Sequence, residues 1–330
     1  MRCLVTSARH YDREFLDAAN AGRHELVFEE TRLSASTALI AQGFPAICPF
    51  VDDQLDAEVL QILARLGTKL LVLRSTGYNH VHIATAEQLG ITVMRVCDYS
   101  PHAVAEFALT LMLCLNRHVH RAYNRVRHGN LLLDGLLGFD MHGKAVGIVG
   151  TGKIGTALTR ILHGMGCNVL GCDVVCNPEC EKLGVRYASL DDLLSQSQIV
   201  SLHLPLLPET RHIINAERLA RIRPGALLIN TSRGALIDTP ALIGALKKRH
   251  LGGVGLDVYE EEADLYFRDH SDDIIYDDTF ERLLTFPNVI VTGHQAFFTR
   301  EALETIAATT IQNLTDYCEG RGNKNEIRSK

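Results

Sequence analysis

Three short polar segments follow apolar runs late in this 330-residue chain: Asn230-Thr231-Ser232-Arg233-Gly234, Gly255-Leu256-Asp257-Val258-Tyr259-Glu260-Glu261-Glu262 and Thr292-Gly293-His294-Gln295. The runs before them are rich in Val, Ile and Leu, so the polar segments fall where parallel strands end. In an open parallel sheet, ligands bind beyond those carboxyl ends. Arg233 offers a planar fork of donors suited to a 2-keto acid. His294 can hand over a proton near neutral pH. A carboxylate bonded to its second ring nitrogen would orient the imidazole and favour its charged form. Three consecutive glutamates, Glu260, Glu261 and Glu262, leave the carboxylate open. Taken singly, Arg233 reads as a surface ion-pair residue and His203 as a satisfied core histidine. The conjunction of arginine, carboxylate and histidine favours chemistry.

A second constellation lies upstream. The strand-like Val146-Gly147-Ile148-Val149 runs into Gly150-Thr151-Gly152-Lys153-Ile154-Gly155, and a helical pattern follows. In that context Gly150 allows the tight turn and Gly152 lets a pyrophosphate approach the backbone. Gly155 permits close packing of helix on strand. The free N–H groups of the helix start would face the phosphates. Asp173 ends the next strand, where a carboxylate accepts hydrogen bonds from a ribose 2′-hydroxyl and repels a 2′-phosphate. The cofactor expected is therefore NAD rather than NADP. Gly147 to Lys153 nearly spells a phosphate loop, but Ile154 stands where a magnesium-holding Ser or Thr belongs.

These residues need a scaffold, and the pattern supplies one. Short apolar runs alternate with amphipathic segments, the signature of parallel sheets covered by helices. The first set of strands is expected at 2–6, 25–28, 46–50, 69–74 and 92–96. The second is expected at 145–149, 168–172, 199–202, 226–230, 253–256 and 289–291. Ser100-Pro101 opens one long helix that ends in the basic segment Arg117 to Arg127, read as a solvated or subunit-facing surface. A last helix, Thr299 to Glu319, is expected to return to the first sheet. The fold class is α/β with two doubly wound domains. A net charge of −6 argues against nucleic acid as a partner. The most apolar helical stretch, Ala103 to Leu115, is too short to span a bilayer, and no secretory signal opens the chain. Nine cysteines then read as reduced thiols of a cytoplasmic protein. Cys172, Cys176 and Cys180 lack zinc-ligand spacing, and no metal is expected.

The glycine loop, Thr231-Ser232-Arg233-Gly234, Gly255 to Glu260 and Gly293-His294-Gln295-Ala296-Phe297 together resemble the D-isomer-specific 2-hydroxyacid dehydrogenases. So do Arg74-Ser75-Thr76-Gly77-Tyr78-Asn79 and Asp98-Tyr99-Ser100-Pro101, so the resemblance covers nearly the whole chain. It implies a Rossmann NAD-binding domain (100–297) inserted in a discontinuous flavodoxin-like substrate domain (1–99 and 298–330). Arg233, Glu262 and His294 become the catalytic set, with family spacing selecting Glu262. Cofactor contacts extend from Gly150, Gly152, Lys153, Ile154, Gly155 and Asp173 to His203, Leu204, Pro205, Thr210, Thr231 and Ser232. Asp257 is assigned to the carboxamide. Thr76 and Gly77 are assigned to the substrate carboxylate, Tyr99 and Phe297 to its side chain. The resemblance further implies NADH-dependent reduction of pyruvate, two domains closing over the substrate, and a homodimer through the nucleotide-binding domains. The rivals are a bulkier 2-keto acid and a dinucleotide-sensing, corepressor-like binding protein.

Asp173 yields a test of cofactor choice. The unmutated protein should turn over NADH well ahead of NADPH. Loss of the charge-assisted hydrogen bonds in Asp173→Ala should narrow the kcat/KM ratio by about tenfold. Equal kcat/KM for the two cofactors in the unmutated protein would contradict the role given to Asp173.

Overall fold

A computed structural model describes residues 1–322 and 324–329. The chain divides into two compact units, Met1–Ser100 together with the chain from Phe298, and Pro101–Phe297.

The first unit is built on β1 (Arg2–Val5), β2 (Glu25–Phe28), β3 (Ala46–Cys48), β4 (Leu70–Val72) and β5 (Thr92–Met94). They lie parallel in the order β2-β1-β3-β4-β5, the flavodoxin-like arrangement. Successive residues of one strand serve opposite faces. Leu71 joins Leu60 and Leu63 on one side, while Leu70 and Val72 join Ile311 and Leu314 on the other. Burial on both faces is why these strands read as unbroken apolar runs. Ile311 and Leu314 belong to the helix Arg300–Cys318, capped by the Thr299 hydroxyl. Their burial, worth roughly 1.5–3 kcal/mol per side chain, is what brings the end of the chain back to this unit.

The second unit begins with the helix Pro101–Asn116. Its sheet contains β6 (Ala145–Val149), β7 (Asn168–Cys172), β8 (Arg186–Tyr187), β9 (Ile199–Leu202), β10 (Leu227–Asn230), β11 (Gly253–Leu256) and β12 (Val289–Val291). All are parallel, in the order β8-β7-β6-β9-β10-β11-β12. This is the Rossmann order with one further strand, and the strand order reverses between β6 and β9.

Three details depart from the sequence reading. The two-residue strands β8 and β13 (Glu326–Ile327) extend the sheets, with β13 antiparallel to β5. Neither carries an apolar run, and their pairing is set by neighbouring strands. The basic segment does not continue the first long helix. His118 adopts a left-handed backbone (φ +50°), and a separate helix, Val119–Arg127, starts there.

Candidate active site

In the second unit the ends of β6 and β9 flank the glycine loop. Gly150 has φ +96°, and a Cβ on it would stand 2.4 Å from the His203 carbonyl oxygen. A Cβ on Gly155 would collide with the Gly150 carbonyl at 2.0 Å, whereas Gly152 faces open space. Gly152 caps the helix Lys153–Gly164 without a side-chain hydrogen bond, having no side chain to offer. Asp173 reaches across: Oδ2 accepts from the Thr151 amide at 2.6 Å and its hydroxyl at 3.1 Å. These residues fit a dinucleotide, with an open cradle at Gly152 and a carboxylate held beside it.

Two buried polar atoms near the same strand ends have no protein partner among the described residues, His203 Nδ1 and Thr231 Oγ1. Burial lowers the His203 imidazole to about 4, so the ring is neutral at physiological pH. Its Nε2 lies 2.9 Å from Ser201 Oγ. Ser232 Oγ donates to the Leu202 carbonyl at 2.8 Å and ties β10 to β9. Thr210 Oγ1 donates to the Pro205 carbonyl at 2.7 Å, shaping the Leu204–Pro205 loop.

The segments after β10, β11 and β12 carry Arg233, Glu262 and His294. Arg233 follows β10, half-buried, with Asn230 Nδ2 donating to its carbonyl at 2.8 Å. A Cβ on the next residue, Gly234, would lie 2.0 Å from the Tyr259 carbonyl carbon, so only glycine lets this turn press on the segment after β11. His294 Nδ1 stands 3.0 Å from Glu262 Oε1, and Glu262 Oε2 accepts from the Tyr259 amide at 3.1 Å. Both side chains keep some exposure, 19% for His294 and 24% for Glu262. The choice among three glutamates is thereby made by geometry. Glu260 Oε1 instead meets Arg211 Nη2 at 2.9 Å and His212 Nε2 at 2.6 Å, and Glu261 is exposed.

Asp257 does work that the sequence did not suggest. It is fully buried, and Oδ1 accepts from Thr292 Oγ1 (2.6 Å) and the Gln295 amide (2.9 Å), while Oδ2 accepts from the Ala296 amide (2.8 Å). Its side chain organises the histidine loop. Phe297 ends that loop, half-buried.

Thr76, Gly77 and Tyr99 belong to the first unit. The carbonyls of Ser75, Thr76 and Gly77 accept from the Val96 amide, Arg95 Nη1 and Ser75 Oγ. With its oxygens turned to the protein, this loop leaves amide N–H groups for an anion. Tyr99 is half-buried on the segment leading out of the unit. Among the described residues no group of His, Cys, Asp or Glu is placed to hold a metal ion.

The family model for the D-isomer specific 2-hydroxyacid dehydrogenase NAD binding domain matches residues 109–296. The chain belongs to this family. It is 45% identical over 328 residues to a D-lactate dehydrogenase of Escherichia coli, covering 99% of this chain and all of that one. A solved structure described as the pyruvate reductase of Chlamydomonas reinhardtii superposes with a TM-score of 0.93 at 44% identity over 98% of each chain. A D-lactate dehydrogenase from Aquifex aeolicus, solved with NAD and lactic acid, gives 0.89 at 31% identity over 99% of each chain. The chain is an NAD-dependent D-2-hydroxyacid dehydrogenase. No helix among the described residues is long and apolar enough to cross a membrane.

The neighbouring carboxylates can be separated by mutation. Glu262→Gln removes the charge facing His294 and should lower kcat by roughly 10²-fold, within the range of general acid–base contributions. Glu260→Gln should leave kcat within about threefold, because a partly exposed ion pair is worth ~1 kcal/mol or less and touches no reacting atom. Equal kcat losses in the two variants would contradict this division.

Proposed function

We propose that this enzyme reduces pyruvate to D-lactate with NADH. The observation that supports this reading most is the His294–Glu262 pair at 3.0 Å, set at the strand ends beside the Arg233 turn. The bound nicotinamide supplies hydride to the keto carbon. Arg233 binds the substrate and polarises its carbonyl, and His294 Nε2 delivers a proton to the oxygen as the C–O bond becomes single. Glu262 holds Nδ1, so that the ring presents Nε2 and the charge it carries before transfer is balanced. In the reverse direction the same nitrogen accepts the hydroxyl proton. Thr76 and Gly77 take the carboxylate through their amides, and Tyr99 and Phe297 bound the methyl group. Nine free cysteines suit a reducing, cytoplasmic setting.

The substrate is tested by kcat/KM for pyruvate, 2-ketobutyrate and phenylpyruvate. One methylene is worth ~1–3 kcal/mol, so 2-ketobutyrate should fall modestly behind pyruvate. Phenylpyruvate should be rejected far more strongly by overlap with the aromatic walls. Phenylpyruvate equal to or better than pyruvate would replace this reading with the bulkier substrate. Cofactor binding without turnover of any 2-keto acid would leave a dinucleotide-sensing protein.

We also propose that the enzyme is a homodimer. No residue of the helix Val119–Arg127 is buried, although Val119, Tyr123 and Val126 share one face. Leu131, Leu132, Leu133 and Leu137 follow it, all exposed. Arg121 and Arg125 donate to the carbonyls of Gly135 and Asp134 and pin that loop to the helix. An apolar patch of this kind needs a cover, and a second copy of the chain supplies a matching one. Light scattering should give twice the 36.5 kDa chain mass. Tyr123→Glu combined with Leu132→Glu should give the monomer. A monomeric unmutated protein at micromolar concentration would overturn the proposal.

A further inference from the structure

Two bulky side chains near the reacting centre adopt a backbone conformation that L-residues avoid, and their rings touch. His294 has φ +53° and Phe267 φ +63°. Their ring centroids lie 5.8 Å apart, with 36° between the planes. A large side chain at positive φ persists only where its surroundings hold it there.

Those surroundings are visible along the chain after Glu262. The amides of Leu265 and Tyr266 both donate to the Glu262 carbonyl, at 3.1 and 2.9 Å, forming a tight turn. His270 Nε2 stands 3.0 Å from the Leu265 carbonyl and closes the turn from its other end. Tyr266 drops into the core, 94% buried, edge-on to Phe280 at 6.1 Å. With Tyr266 committed inward, the left-handed step at Phe267 carries the next ring out to the imidazole.

A single hydrogen bond at Nδ1 fixes one atom of an imidazole and leaves the ring free to rock about it. Proton delivery from Nε2 is directional, so a rocking ring lowers the fraction of time in a reactive geometry. A flat apolar partner against the ring removes that freedom. We propose, on the reading that His294 is the proton donor, that Phe267 is the positioning residue that fixes the plane of its imidazole. Glu262 and Phe267 then restrain the histidine from two directions, and one tight turn sets both.

The test compares Phe267→Ala, Phe267→Leu and Phe267→Tyr. Both Phe267→Ala and Phe267→Leu should lower kcat for pyruvate reduction roughly tenfold, with KM for pyruvate and NADH within about threefold, since a misplaced donor impairs the chemical step rather than binding. Leucine fills the volume without offering a flat face. Phe267→Tyr keeps the ring and should retain kcat within about twofold of the unmutated enzyme. Carbethoxylation of His294 by diethyl pyrocarbonate, followed by mass spectrometry, gives a readout that requires no turnover. It should run several-fold faster in the alanine and leucine variants and at the unmutated rate in the tyrosine variant. Should Phe267→Ala fail to fold, the leucine–tyrosine comparison carries the decision. Phe267→Leu matching the unmutated enzyme in kcat and in modification rate overturns the proposal, as does a rise in KM equal to the fall in kcat. If the unmutated protein reduces no 2-keto acid, the functional reading fails on its own, and the modification rates still decide the place of Phe267.

Discussion

The carboxylate of Asp257 stands at the end of β11 with no exposure to solvent and three donors directed at it. Burial pushes its titration upward, and the bonds from Thr292, Gln295 and Ala296 act against that shift. Two of those donors are the backbone amides directly after His294, and the third, the Thr292 hydroxyl, lies two residues before it. The Asp257 carbonyl takes the His294 amide as well, at 2.8 Å. Both polar ends of one residue therefore fix the left-handed backbone of the histidine. Without that anchor, His294 would sit on an exposed loop with no reason to hold a strained φ. Leaving any of these donors unpaired in the interior would cost about 1–3 kcal/mol. The loop has little freedom to move while Asp257 stays in place.

The same economy of position runs through the sheet of the second unit. Parallel strands deliver their polar ends to one edge, and the reversal of strand order between β6 and β9 opens room there for a ligand. Glycines decide how closely the pieces approach. Gly150 lets the cofactor loop meet His203, and Gly234 lets the arginine turn meet Tyr259. The Arg233 turn is in this way pressed directly on the segment that carries Glu262.

The first unit has its own buried anchor. Arg74, 3% exposed, lies two residues beyond β4, just before the Thr76–Gly77 turn. It meets Asp12 at 3.1 Å and donates to the carbonyls of Cys48, Thr6 and Ser7, with Phe50 against its guanidinium at 4.7 Å. Removing one partner of such a pair strands a charge in the interior, at a cost of about 3–5 kcal/mol. Arg74 thus holds the ends of β1, β3 and β4 together where the Thr76–Gly77 turn begins. Each unit relies on a fully engaged buried charge directly beneath its loops.

Local sequence determined the strands that are buried on both faces, because an apolar run bounded by turns has few other uses. It also determined the glycine loop between β6 and the following helix and the place of Asp173 just after β7. The positions of Arg233 and His294 were legible because each lies three residues beyond a strand. The strands β8 and β13 were not legible, since two residues carry no periodicity and pair only because a neighbouring edge is present. The break at His118 left no mark in a basic segment whose composition suits one helix or two. Glu260, Glu261 and Glu262 are chemically identical, and only the turn over Glu262–Asp264, with Arg211 and His212 claiming Glu260, separates their roles. Asp257 and Phe267 act through partners 35 and 27 residues away in sequence. Such contacts depend on where chain segments meet in space, and residue type alone does not encode that.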